Sequence, residues 1–276
     1  MPLKKVTIKS FKSIVNQTVD LGQLNVFIGT NGAGKSNFLE AIGVMSCAID
    51  GEVSYSKLAD RGVRLSAPEV FKSSFRNFKR KSTFTLDAQF STLNYHVNIN
   101  PNEEGNFVFS SEKISNEKQC IGKRSHNQGV NIPSLAKEEF NKLSKQKSII
   151  ATIEALVRFS DEELSQLNEI KQYAIYSLST PILRGVSLDE SRIEPLGLYG
   201  GSLSTALHEV IQEALSSKEH DLNRFFELLD WFEKIGTTDE ISPELQSNHL
   251  HTGKRVVNFF DKYMKTNFNK LYAYDV

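Results

Sequence analysis

Gly29-Thr30-Asn31-Gly32-Ala33-Gly34-Lys35-Ser36 is the stretch on which the reading of this chain turns. It fits the spacing G-x-x-x-x-G-K-[ST] without a mismatch. Phosphate oxygens need several donors converging on a small volume, and backbone N–H groups supply them only where no side chain blocks the approach, hence Gly29, Gly32 and Gly34. Upstream, Leu24, Val26, Phe27 and Ile28 form a compact apolar run with β-branched members, which predicts a strand buried on both faces and ending at Gly29. Downstream, Phe38, Leu39, Ile42 and Met45 recur at helical spacing and predict a helix starting at Lys35 and reaching Ile49. Strand, glycine loop and helix in that order set the partial positive charge of a helix N-terminus against the loop. The implied ligand is a nucleotide, ATP with Mg2+. In this reading the loop cradles the phosphates, Lys35 reaches the β and γ phosphates as a point charge, the Ser36 hydroxyl coordinates the metal, and Asn37 assists nearby. A chance turn opening a helix would have to meet spacing, residue types and flanks together, and is set aside.

Before the loop, alternation from Lys5 to Phe11 predicts a half-buried strand, and Val15 to Leu21 a second. After it, Ser82 to Ser91 and Asn94 to Asn100 read as further strands, with a turn at Pro101 to Gly105 before Phe107 to Phe109. Residues 1–110 are thus expected to form a nucleotide-binding lobe with a β-meander. Ser111 to Asn131 is rich in Ser, Asn, Lys, Glu and Gly, and a solvated loop is expected over residues 111–133. The remainder, 134–276, reads as a mainly helical lobe. Its expected helices carry Phe140 to Val157, Leu164 to Ala174 behind a Ser160/Glu163 capping box, Leu203 to Leu215, Leu222 to Phe232 stopped by Gly236, and Val256 to Met264. Pro181 to Gly201 is expected to be a long loop.

Of 276 residues, 39% are hydrophobic and 24% charged, an ordinary globular balance, and no apolar run approaches the roughly 20 residues that span a bilayer. The N-terminus alternates polar and apolar residues instead of building a signal peptide, so a cytoplasmic chain with no membrane association is expected. Cys47 and Cys120 lie far apart with no CxxC spacing, which leaves disulfide frameworks and zinc knuckles without support. Lys plus Arg and Asp plus Glu each total 33, so a nucleic-acid contact would need a local basic patch.

VTIKSFKSI followed by LGQLNVFIGTNGAGKSNFLEAI, together covering about residues 3 to 45, resembles the opening of the RecF, SMC and OLD group of ATPases within the ABC superclass. Weaker echoes are LADRG at 58 to 62 and PLGLYGGSLSTAL at 195 to 207. The resemblance implies an α/β P-loop NTPase fold of the ABC-ATPase-like head type, in which two subunits sandwich two ATP molecules. It further implies a homodimer formed through ATP, DNA and an associated nuclease as partners, and a role in DNA repair or anti-phage defence. It places Lys12, the basic residue after Phe11, near the nucleotide; the competing reading is a solvated lysine at a strand end. Neither Gln89 nor Gln146 sits in a motif that would carry over the family's Q-loop glutamine.

Hydrolysis needs a carboxylate to support the metal and another to orient water, and this group takes both from an hhhhDE strand. No such segment is present. Leu228-Leu229-Asp230 falls in an expected amphipathic helix, Leu188-Asp189-Glu190 follows a loop, and the serine-led signature is also missing. The expectation is the N-terminal part of a longer ATPase, which alone binds ATP weakly and hydrolyses it poorly. A small-molecule P-loop kinase and a non-hydrolysing nucleotide-binding module are the rivals, and nucleotide-dependent dimerisation separates the first from them.

Phe71 to Lys81 interleaves aromatics with five basic residues, a composition suited to phosphates and stacked bases. It equally suits an amphipathic segment whose Phe residues enter the core. His249 and His251 lack a carboxylate or cysteine to complete a metal set, and Trp231 is expected in the core of a helical packing.

Overall fold

The computed structural model describes residues 3–76, 78–102, 104–125, 129–134, 143–157, 159–183, 187–191, 196–216, 230–238, 256–263 and 270–272. The chain divides into two compact units, Met1–Ile175 and Tyr176–Val276.

The first unit opens on an antiparallel hairpin, β1 (Leu3–Phe11) and β2 (Ile14–Asp20). Ser10, near the end of β1, and Lys12, in the turn, have positive φ of 59° and 45°. Helices α1 (Lys35–Ile49) and α2 (Tyr55–Asp60) follow, then a 3-10 turn at Pro68–Phe71. Strands β3 (Phe84–Phe90), β4 (Leu93–Pro101), β5 (Phe107–Asn116), β6 (Cys120–Ser125) and β7 (Gly129–Asn131) complete a seven-stranded antiparallel sheet in the order β2-β1-β3-β4-β5-β6-β7. Helices α3 (Ile149–Leu156) and α4 (Asp161–Lys171) end the unit, the latter behind the expected capping box, in which Ser160 and Glu163 bond each other's backbone. An α/β fold of the P-loop NTPase type is the result.

Strand alternation sorts the two sheet faces. Val6, Ile8, Leu86, Ala88, Tyr95 and Val97 are buried, while Lys5, Thr7, Asp87, Gln89, Asn94 and His96 face outward. α1 is buried along almost its whole length from Phe38 to Ile49, and each fully buried side chain there, such as Met45 or Ile49, contributes about 1.5–3 kcal/mol. The LADRG echo is a staple between helices. Arg61 donates to Ser46 Oγ at 2.8 Å, to Asp50 Oδ2 at 2.9 Å and to the Lys171 carbonyl at 3.0 Å, tying α1, α2 and α4 together. Gly62, at φ +70°, lets the chain pass there, because a Cβ would lie 2.3 Å from the Ile175 carbonyl oxygen.

Three expectations fail in instructive ways. Ser111 to Asn131 is not a solvated loop: β5, β6 and β7 run through it. Its inward positions include charged residues, so the hydropathy alternation of a strand is hidden. Glu112 and Arg124 face each other in register, and the buried Glu112 carboxylate accepts from Tyr95 Oη at 2.9 Å, from the Ile149 N–H at 2.9 Å and from the Ser148 hydroxyl. Burial pushes this carboxyl above its ordinary value, against the pull of those bonds and of Arg124.

Nor do Leu24 to Ile28 form a buried strand. Leu24, Val26 and Ile28 are 85%, 74% and 92% exposed, with only Phe27 leaning on Phe38 at 4.9 Å between ring centroids. Apolarity predicts a strand only where another strand lies alongside, and among the described residues none pairs with this segment.

Among its described residues the second unit, part of the expected helical lobe 134–276, holds strands as well as helices. It carries α5 (Thr180–Leu183), inside the expected loop, and the expected α6 (Leu203–Ser216), but also a three-stranded antiparallel sheet. Its strands are β8 (Phe232–Thr238), β9 (Val256–Asp261) and β10 (Lys270–Tyr272), in the order β10-β9-β8. The run Val256 to Phe260 is too short for its period to separate helix from strand, and ladders on both sides decide for strand. Leu222 to Leu229, His249 and His251 lie outside the described residues. Trp231 sits half-buried in the turn before β8, not on a helix. Asp189 closes the Gly197 to Gly201 turn by accepting from the N–H groups of Tyr199 at 3.1 Å and Gly201 at 2.9 Å.

Candidate phosphate-binding site

Gly34 caps α1 in the left-handed region at φ 92°, and a Cβ there would stand 3.1 Å from Ser13 Oγ as well as strain the backbone. Gly32, at φ +84°, faces open space: an added Cβ would meet nothing within 4 Å. The loop is therefore a curved backbone surface whose shape depends on glycine and whose outer side is accessible. No side chain caps α1, and its first turn carries no acidic residue, so the helix N-terminus presents donors and positive potential to an anion.

Lys35 is the first helical residue, and its ammonium lies within the loop, donating to the Gly29 carbonyl at 2.8 Å and the Thr30 carbonyl at 2.9 Å. Ser36 is exposed on the next position, and Thr30, Asn31 and Ala33 line the exposed rim, with the Ala33 N–H turned onto the Thr30 carbonyl at 3.2 Å. The glycine loop, Lys35 and Ser36 are thus brought together on one open rim. Asn37 points sideways: its Nδ2 donates to Ser13 Oγ at 2.6 Å and its Oδ1 accepts from Arg64 at 3.2 Å.

Lys12 is not a solvated lysine at a strand end. Its side chain is only 6% exposed and its Nζ donates to Glu40 Oε2 at 2.6 Å, with Glu40 itself 3% exposed. The ammonium also stands 4.8 Å from the centroid of the Phe71 ring. Arg64 Nε takes the other Glu40 oxygen at 2.5 Å from a side chain that is 68% exposed. That ion pair and its hydrogen bond raise the Arg64 pKa above its ordinary value. Lys12 therefore lies in a buried cluster under α1, one helical turn beyond the loop. Gln89 lies exposed on the outer face of β3, and Gln146 is exposed in the turn before α3.

Ser13, Glu40 and Arg64 escaped the sequence reading. No motif marks them, and Glu40 has the polarity of a surface residue. Only the packing of α1 over the β1–β2 turn puts it inside.

A cleft of about 580 Å³ opens beside the loop, walled by Val15, Gln17 and Val19 of β2 on one side and by Phe27, Lys35 and Phe38 on the other. That volume is within the roughly 300–1,000 Å³ of small-molecule sites. Among the described residues no group of three or more His, Cys, Asp or Glu could hold a metal. Ser36 alone fits Mg2+, a cation that keeps several waters and takes most of its protein-side anchoring from bound phosphates. The residues present thus fit a nucleoside triphosphate with its metal.

Among the described residues no helix is long and apolar enough to cross a membrane. Comparison with curated proteins finds no match. A solved structure from work on the structural biochemistry of ATP-driven dimerization and DNA stimulated activation of SMC ATPases aligns at 14% identity and a TM-score of 0.32, over 62% of this chain and 99% of that chain. The family described as the AAA ATPase domain matches residues 1–270, and with nearly the whole chain matched the protein belongs to that family.

Proposed function

We propose that the chain is the ATP-binding head of a RecF-like or OLD-like ATPase, an ATP-dependent dimerising switch serving DNA repair or anti-phage defence. The observation that carries the reading is the glycine loop closed around the Lys35 ammonium at the uncapped start of α1. Gly29 to Ser36 hold the phosphates by their backbone N–H groups, and Lys35 exchanges the carbonyls of Gly29 and Thr30 for phosphate oxygens. Ser36 anchors the metal, β2 walls the cleft that receives the base, and Asn37 and Lys12 act from behind, bracing the first turns of α1 through Ser13 and Glu40. Bound Mg-ATP supplies the phosphoryl group and the charge shared by two heads. Glu40, the carboxylate on the helix after the loop, already has both oxygens taken by Lys12 and Arg64, so it neither supports the metal nor orients water.

Support for dimerisation comes from Leu24, Val26 and Ile28, apolar side chains exposed beside the loop. Apolar side chains left in water so close together in sequence favour association.

Size-exclusion chromatography with and without ATP and magnesium, paired with a nucleotide-binding titration, tests both parts. Wild type should bind ATP and elute as a dimer only with nucleotide, and Lys35→Ala should do neither. Binding without dimerisation sinks the switch, and undiminished binding in Lys35→Ala sinks the site.

A further inference from the structure

Five of the ten residues from Lys72 to Lys81 are basic and none is acidic, in a chain whose Lys plus Arg and Asp plus Glu totals are equal. The structure separates the two readings of this stretch. Phe71 enters the core, packed edge-on against Phe107 at 5.1 Å, but Phe75 and Phe78 remain 43% and 58% exposed. They form a T-shaped pair at 6.5 Å between centroids. Arg76, Lys79, Arg80 and Lys81 are exposed around them.

The presentation is built. At the base, the Ser73 N–H donates to the Ser10 carbonyl at 3.0 Å, Ser73 Oγ to the Ile14 carbonyl at 2.9 Å, and Lys72 Nζ to the Pro101 carbonyl at 3.1 Å. At the tip, the Phe78 N–H donates to the Phe75 carbonyl at 3.2 Å, a turn that brings the two rings together. On the return, Arg80 donates to the Glu69 carbonyl at 3.0 Å. Two aromatic faces are therefore held out on an anchored loop, each flanked in sequence by cations.

We propose that this loop is a binding platform for single-stranded nucleic acid, separate from the phosphate site and independent of its reading. Bases stack on exposed aromatic faces whatever their sequence, while neighbouring cations take the phosphates. A duplex keeps its bases stacked on each other and offers these rings nothing. A lipid surface would be met by contiguous apolar area, whereas here each ring is followed immediately by basic residues.

The test is fluorescence anisotropy of a labelled oligo-dT and of a duplex of equal length, titrated with the full chain at several salt concentrations. Wild type should prefer the single strand. Phe75→Ala/Phe78→Ala should weaken oligo-dT binding about tenfold or more with little change in salt dependence. Arg76→Ala/Lys79→Ala/Lys81→Ala should lower the slope of log affinity against log salt by about 2. All these positions are exposed, so melting temperatures should match wild type and show that the variants fold. Lys35→Ala should bind the oligonucleotide as wild type does. Loss of binding in Lys35→Ala, unchanged affinity in both loop variants, equal affinity for the duplex, or binding to anionic phosphatidylserine vesicles in place of oligo-dT would each overturn the proposal.

Discussion

Glu40→Gln is the perturbation whose cost the structure sets most sharply. The Glu40 carboxylate is buried and faces two cations of different kinds: Lys12, buried at 2.6 Å, and Arg64, largely exposed at 2.5 Å. Removing the charge leaves the Lys12 ammonium beneath α1 without a counter-ion, beside a neutral amide, the Phe11 and Phe71 rings and the Arg64 carbonyl at 3.5 Å. Breaking a buried pair in this way costs about 3–5 kcal/mol. Lys12→Met should cost less, about 1–3 kcal/mol, because Glu40 keeps Arg64 as its partner. Arg64→Ala should cost under about 1 kcal/mol, since solvent screens an exposed guanidinium. The double variant Glu40→Gln/Lys12→Met should fall short of the sum of its singles by about 1 kcal/mol or more, the mark of two groups in direct contact. Urea denaturation followed by far-ultraviolet circular dichroism measures all four. A cost below about 1 kcal/mol for Glu40→Gln, or additivity in the double variant, would refute the reasoning.

Other outcomes follow from single observations. Gly62→Ala should destabilise by about 2 kcal/mol or more in thermal melts, because the Cβ meets the Ile175 carbonyl at 2.3 Å in a left-handed backbone, whereas Gly32→Ala, with open space around it, should cost less. Burial raises the Glu163 pKa, but bonds from Asn116 and Ser160 outweigh it and hold the carboxyl below its ordinary 4.5. Its contribution is therefore present above pH 4.5 and lost as pH falls through the lower folded-state value, and Glu163→Ala, costing about 1 kcal/mol at neutral pH, should flatten that part of the stability curve. Burial pushes the Cys47 thiol up to about 12, so at pH 8 a thiol reagent should modify Cys120 and reach Cys47 only after denaturation; equal reactivity of the two in the native protein would contradict the packing of α1.

Local information carried the glycine loop, α1, the capping box of α4 and the strands β1 to β4. Each is specified by neighbours in sequence: a spacing of glycines and Lys35, a 3.6 period, a Ser160/Glu163 pair, a period of two. β5 and β6 are hidden because Glu112 and Arg124 take inward positions that apolar residues usually hold, and the bonds of Glu112 with Tyr95 and Ser148 and of Arg124 with the Ser144 carbonyl offset their burial. β9 is not legible as a strand because six residues, four of them apolar, are too few to show a period of their own.

The sequence by itself determined where the glycine loop lies and that it opens a helix, since the spacing of Gly29, Gly32 and Gly34 and the helical period after Lys35 are local properties. Tertiary structure alone decided what surrounds it. Whether Lys12 is solvated or buried depends on Glu40, 28 residues away, and whether Phe75 and Phe78 are core or surface depends on how the 72–81 loop leaves the sheet. The exposure of Leu24 to Ile28 depends on which strands stand beside them. Desolvation and pairing are properties of neighbours in space, and a linear pattern of residue types holds no record of them.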